Sequence, residues 1–349
     1  MQLLSLTVLL SSISFALSCG THGIHRRDAP KYNPLPPSAA GLPLNSDGYA
    51  VQSLGHGAYM TTDGMYNSMF IVSTDGVVVV DNPPTTGRRM LWAVGNVTCQ
   101  PITHLVYSHM HADHISGAGI LTDAYPDALV VAHTDTKALL AEQRDPNRPA
   151  PHITFDSSHT LHVGNQTLEL TYKGEAHMAG NIYIFFPAAS VLMLVDVVFP
   201  GWIPFAQLGQ TENVRSYIAA HDEILAYDFE YFIGGHVGRA GNRTDVLMNQ
   251  EYVQDLFTNC LAAINLTTTD DPVLGSAALL GPVEASNPGN YWAAFSVYLT
   301  TTTDYCANQT NVKWQTRLAA ADVFQYENAW VLLQALRVDY GFLGPFGPS

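Results

Sequence analysis

The chain has 349 residues, 47% of them hydrophobic, enough apolar material for a sizeable core and too much for a disordered chain. Its 15 Lys and Arg stand against 30 Asp and Glu, a formal net charge of -15, which leaves no basic patch and argues against nucleic acid as a partner.

The N-terminus, MQLLSLTVLLSSISFALS, carries an apolar run from about Leu3 to Leu17, with Ala16 and Ser18 small enough to flank a cleavage site. Residues 1–18 are therefore expected to be a secretory signal peptide; the run is short for a bilayer-spanning helix, and no membrane attachment of the mature chain is expected. His25, Arg26 and Arg27 end in a dibasic pair, so residues 19–27 read as a propeptide. Residues 28–47, rich in proline and small side chains, then read as an extended linker. Sequons at Asn96, Asn165, Asn242, Asn265 and Asn308 fit a secreted, extracellular glycoprotein. With Cys19 in the segment to be removed, Cys99, Cys260 and Cys306 remain. Cys260 and Cys306, both C-terminal, are the expected pair, and no C-x-x-C spacing offers a thiolate metal site.

From Tyr49 the pattern is that of strands: YAVQSL, MYNSMFIVS and VVVVD, the last after the turn Thr74-Asp75-Gly76. PTTGRRMLWAVGNV has helical spacing, ITHLVYS reads as a buried strand, ALVVAH as a strand and TDTKALLAEQ as a helix. HTLHVG, TLELTYK, IYIFFP and SVLMLVD continue as strands, followed by the helix ENVRSYIAAHDEILAY and the strand EYFIGGH. Two sets of strands with interspersed helices predict a layered α/β sandwich. Beyond about Thr244 only helical spacing remains, so residues 247–349 are expected to be a helical region packed on the core.

The densest chemistry lies in SHMHADHISG, where His109, His111, Asp113 and His114 occupy six positions as H-x-H-x-D-H. Alternate imidazoles leaving a buried strand can face one metal, and the following Asp and His fall toward a second. Three more candidates end predicted strands or loops: His177 in GEAHMAGN, Asp196 in LMLVDVVFPG and His236 in IGGHVGRAG. Asp196 follows four apolar residues, where a carboxylate needs a cation or hydrogen-bond donors.

This order of motifs resembles the metallo-β-lactamase superfamily over roughly residues 48–246. The resemblance implies a four-layer αββα sandwich with the C-terminal helices as an appendage. It places His109, His111 and His177 on a first metal and Asp113, His114 and His236 on a second, with Asp196 bridging and Asp81 bracing the ligand loop. It further implies two divalent ions, zinc first, with iron or manganese also suited to the donor set. A metal-bound hydroxide would attack a small lactone, lactam, ester or thioester, with Asp113 or Asp196 orienting it and passing its proton to the leaving group. The position of Asp196 is cysteine in a major branch of true β-lactamases, so penicillin hydrolysis is not implied.

The hairpin GHGAYMTTDGMYNS is expected to act as a flap, with Met60, Met65 and Tyr66 at its apolar edge and His56 nearby. Phe199, Trp202 and Phe205 are expected to supply a pocket wall. Two rival readings remain: an iron-dependent oxidoreductase resembling the sulfur dioxygenases of the same superfamily, and a secreted metal-binding protein without catalysis.

Overall fold

The four strands β1 (Ala50–Gly55), β2 (Ala58–Thr62), β3 (Asn67–Ser73) and β4 (Gly76–Val80) form an antiparallel meander in the computed structural model of the protein. It describes residues 31–347, so the expected signal peptide, the dibasic junction and Cys19 lie outside the described residues. Helix α1 (Arg89–Gly95) then leads to β5 (Ile102–Val106), which lies parallel to β4. Helices α2 (Ala112–Ile115) and α3 (Ala118–Ala124) precede β6 (Leu129–His133), and α4 (Thr134–Gln143) precedes β7 (Ile153–Phe155). Both strands add in parallel, closing a seven-stranded sheet in the order β1 to β7. Helical crossovers are what parallel neighbours require.

The second sheet begins with β8 (Ser158–Val163), β9 (Gln166–Thr171), β10 (Tyr183–Phe186) and β11 (Val191–Met193), each antiparallel to the one before. After the short segment α5 (Ala206–Gln210) and helix α6 (Val214–Leu225), β12 (Tyr231–Ile233) joins parallel to β11. Four helices follow: α7 (Arg243–Leu266), α8 (Ser276–Ser286), α9 (Tyr291–Trp314) and α10 (Gln325–Val338).

Period-two alternation explains how these layers stack. Val78 and Val80 of β4 face the core between the sheets, together with Ile184 and Phe186 of β10 and Val191 and Met193 of β11. Val77 and Val79 point the other way, onto Met90, Ala93 and Val94 of α1 and the residues of α3. On the far side, Tyr183 and Leu192 pack against α6, α7 and the last helices. The result is the expected αββα sandwich with the C-terminal helices on its outer face. Strands buried on both faces read as unbroken apolar runs such as GVVVV, which is why they were visible in the sequence.

From Tyr32 onward the chain is one compact unit. The expected boundary at 246–247 falls inside α7, whose start is fixed further upstream by a capping box between Asn242 and Asp245. Cys260 and Cys306 are joined in a disulfide that ties α7 to α9, and Cys99 is free and exposed. Among the described residues no helix is long and apolar enough to cross a membrane.

Candidate metal centre

The site forms where the C-terminal ends of strands from both sheets converge. Asp81 follows β4, His109 follows β5, Asp196 follows β11 and His236 follows β12; His177 comes from the loop between β9 and β10. Asp81 is buried in a left-handed conformation (φ 58°), and its Oδ1 accepts the Ser108 N–H at 2.8 Å. Burial pushes its carboxyl up to about 6 against the pull of His114 and Ser108. It thus grips the residue before His109. Ser108 Oγ lies 2.9 Å from His109 Nδ1, leaving Nε2 to face inward. Arg148, buried and paired with Asp145, donates to the Met110 carbonyl at 2.9 Å and so pins the crest between His109 and His111.

Four of the other six expected residues meet the Asp196 carboxylate directly. Its Oδ2 lies 3.5 Å from His109 Nε2, 3.6 Å from His177 Nε2 and 3.1 Å from His114 Nε2. Its Oδ1 lies 2.9 Å from His236 Nε2. His177 Nε2 is 3.1 Å from His111 Nδ1, and Asp113 Oδ2 is 3.5 Å from His114 Nε2. The donor atoms divide into two clusters, His109, His111, His177 and Asp196 in one and Asp113, His114 and His236 in the other, each within 4.8 Å. Asp196 touches both.

Electrostatics sort these groups in the same way. Burial holds His109 and His111 below the ordinary histidine range and His177 at about 4, keeping their nitrogen lone pairs free. For His114 burial works downward too, but the Asp196 charge outweighs it and lifts the ring to about 9. Burial would raise Asp196, yet His114 and His236 hold it well below the carboxylate range. His109 Nε2 is buried without a hydrogen-bond partner, 3.5 Å from the Asp196 carboxylate. Buried nitrogens aimed at a buried carboxylate are costly unless a cation joins them. The donors therefore fit two divalent cations, and imidazole with carboxylate suits zinc, iron or manganese.

Asp196 is itself backbone-strained, with φ 66°. It is backed by an unusual turn in which Gln207, Leu208, Gly209 and Gln210 are all left-handed, at φ 60°, 55°, 72° and 59°. Gly209 has to be glycine: a Cβ there would stand 2.7 Å from the Asp196 carbonyl oxygen. Asn328 of α10 holds the turn, accepting from Leu208 N–H at 2.7 Å and donating to the Pro204 carbonyl at 2.9 Å. On the opposite side Asn67 donates to the His236 carbonyl, and its own N–H donates to Gly235 at 2.8 Å. Neither asparagine carries a motif that sequence reasoning could have caught.

The centre forms the floor of a cavity of about 630 Å³. Met65, Tyr66, Phe199 and Trp202 all line it, as does Phe205. Two groups were not foreseen: Leu35, Ala39, Ala40 and Gly41 from the N-terminal side, and Ala320 and Phe324 from the connection between α9 and α10. Among the described residues no lysine or arginine lines the cavity.

Three expectations are corrected. Residues 33–42 are not a free linker: Leu42 N–H donates to Gly238 at 2.8 Å, Trp202 Nε1 to Ala39 at 3.2 Å and Arg239 to Ser38 at 2.8 Å, so this strap is docked as a pocket wall. The hairpin borders the cavity only through its turn, where Gly64, Met65 and Tyr66 line it; Met60, in the interior strand β2, is fully buried between the sheets and forms no part of that edge. His56 sits at the β1–β2 turn, at the opposite end of β3 from the site, where its carbonyl accepts from Gln166.

Residues 61–236 match the metallo-beta-lactamase superfamily. Among curated proteins the chain is 28% identical over 187 residues to the 2,4-dinitroanisole O-demethylase subunit alpha of Nocardioides sp. (strain JS1661), covering 52% of this chain and 56% of that one. It is 25% identical over 129 residues to the metallo-beta-lactamase type 2 of Elizabethkingia meningoseptica, covering 36% and 50%. The chain thus spans about half the length of the curated relatives it matches. Two solved structures share the fold, each with a TM-score of 0.50: a metallo-beta-lactamase from Pontibacter korlensis at 20% identity, covering 58% of this chain and 97% of that one, and metallo-beta-lactamase IND-7 at 17%, covering 59% and 100%.

Proposed function

The chain belongs to the metallo-β-lactamase superfamily, and on that footing we propose that it is a secreted, binuclear metal-dependent hydrolase of small uncharged carbonyl compounds. The observation that carries the reading is the pair of donor clusters joined through Asp196 at the floor of an apolar cavity. His109, His111 and His177 would hold one cation and Asp113, His114 and His236 the other, with Asp196 shared and zinc the first choice. Bound there, two divalent cations would supply a water with a pKa near 7 and polarise a carbonyl oxygen.

The remaining chemistry belongs to the chain. Asp113, with 46% of its side chain exposed, can reach a reacting water and carry its proton to the leaving group. Tyr66 stays protonated, its phenol pushed up to about 12 by burial and by Asp113, and offers a hydrogen-bond donor at the cavity floor. Phe199, stacked 5.6 Å from His236, and Trp202 exclude bulk water from the reacting centre. With no lysine or arginine among the described residues of its lining to grip a carboxylate, the cavity favours lactones, lactams, esters or thioesters without an anionic group. The Nocardioides relative adds an activated aryl methyl ether to the candidates, which water would split into a phenol and methanol.

Secretion is part of the proposal. It is supported by the N-terminal apolar run and by the exposure of all five sequon asparagines. The test is to incubate the metal-loaded protein with one neutral member of each substrate class, alongside His111→Ala. Turnover of at least one class, lost in the variant, is the expected result; no turnover of any class would sink the reading.

A further inference from the structure

We propose that the outer part of the cavity is an aryl subsite, built by Leu35, Phe205 and Phe324, that takes an uncharged aromatic group of the substrate. This rests on reading the cavity as the substrate site. Phe205 and Phe324 meet edge to face, with centroids 4.9 Å apart and planes at 64°. That geometry leaves ring edges and faces available to a third ring, the arrangement aromatic groups prefer. Phe205 is 44% exposed and Leu35 is 59% exposed, although both border the cavity. Large apolar side chains left in water around a concavity mark a binding surface more often than chance placement does.

The three residues come from distant parts of the chain, and Leu35 and Phe324 lie outside the segment 61–236 that matches the superfamily. The segment shared with the superfamily therefore does not build this wall alone, so substrate preference can differ where the metal site is shared. It is also fixed in place. Asn328 locks the turn that begins beside Phe205, and the Trp202–Ala39 hydrogen bond clamps the strap that carries Leu35. A cavity of about 630 Å³ accommodates a benzene ring together with the group attached at the floor. Among the described residues no lysine or arginine lines the walls to pair with an anionic substituent on the ring.

The test is calorimetric binding of N-benzylacetamide to the full-length protein, both metal-loaded and chelator-treated. N-methylacetamide and 4-(acetamidomethyl)benzoate serve as the ring-less and anionic controls. N-benzylacetamide should bind at least on the order of 10-fold more tightly than either control, and Phe324→Ala should remove on the order of 10-fold of that affinity with metal content unchanged. Leu35→Ala, at an exposed position that the core does not need, should weaken binding in the same direction and guards against misfolding of the Phe324 variant. Equal binding of the three probes, or binding by both variants at the wild-type level, would overturn the subsite. Tight, ring-dependent binding in a protein that hydrolyses nothing would uphold the subsite while refuting the hydrolase reading. Turnover with ring-independent binding would do the reverse.

Discussion

Asn328→Ala removes a side chain that is fully buried and bonded to two backbone groups of the turn behind Asp196. Loss of the amide leaves the Leu208 N–H and the Pro204 carbonyl without partners; each buried orphan costs about 1–3 kcal/mol, so roughly 2–6 kcal/mol in all. For a chain of this size, an unfolding entropy of about 2.1 cal/mol/K per residue turns that into a melting temperature lower by roughly 3–8 °C. The local effect should be larger. Gln207, Leu208 and Gln210 each sit in a conformation that costs an L-residue roughly 1–2 kcal/mol, and such a run persists only while its surroundings enforce it. Once unlatched, the turn can relax and draw the Gly209 backbone away from the Asp196 carbonyl. Thermal melts with and without added zinc, together with a competition titration of zinc affinity, read both effects. The expected result is a lower melting point in both states and weaker zinc binding. A variant that melts within 1 °C of wild type and binds zinc equally well would refute the latch.

Two further outcomes follow from the same geometry. His111→Ala and His236→Ala should abolish most hydrolysis while circular dichroism shows a retained fold, because neither ring belongs to an apolar core cluster; His152→Ala should keep full activity, losing only the bond from Val130 N–H to its ring, worth about 0.5–1.5 kcal/mol of stability. His221, buried in α6 away from the metal centre, is pushed down to about 4 from 6.5 by burial. The unfolded chain then takes up a proton that the folded chain refuses, so this contribution is complete above pH 6.5 and fades as pH falls toward 4, by on the order of 3 kcal/mol. Melting curves across that window should be flatter for His221→Gln than for wild type, and parallel curves would show that another group governs acid sensitivity.

The candidate metal ligands were legible because their signals are local. H-x-H-x-D-H needs only the strand before it, and Asp196 and His236 stand out as polar residues closing apolar runs. The sandwich was legible for a similar reason, since alternation along β9 and continuous burial along β4 follow from the layers each strand touches. What stayed hidden depends on distant partners. Met60 looks like any apolar residue near a turn, and only the placement of β2 inside the sheet sends it into the core. The Pro-rich composition of residues 28–47 gave no sign that Ala39 would accept from Trp202. Gln207-Leu208-Gly209-Gln210 contains a single glycine, so nothing in it announces a left-handed turn; its cause lies more than a hundred residues away, in Asn328.

The most direct test of the account is a zinc titration of the chelator-stripped protein, followed by dialysis and elemental analysis, with Asp196→Ala in parallel. Two ions per chain should be retained by wild type, because Asp196 lies within 3.6 Å of a histidine nitrogen from each donor cluster, and its loss should weaken both sites together. A wild-type protein that saturates at one ion, or an Asp196→Ala variant that still retains two, would contradict the shared centre on which the proposed hydrolysis depends.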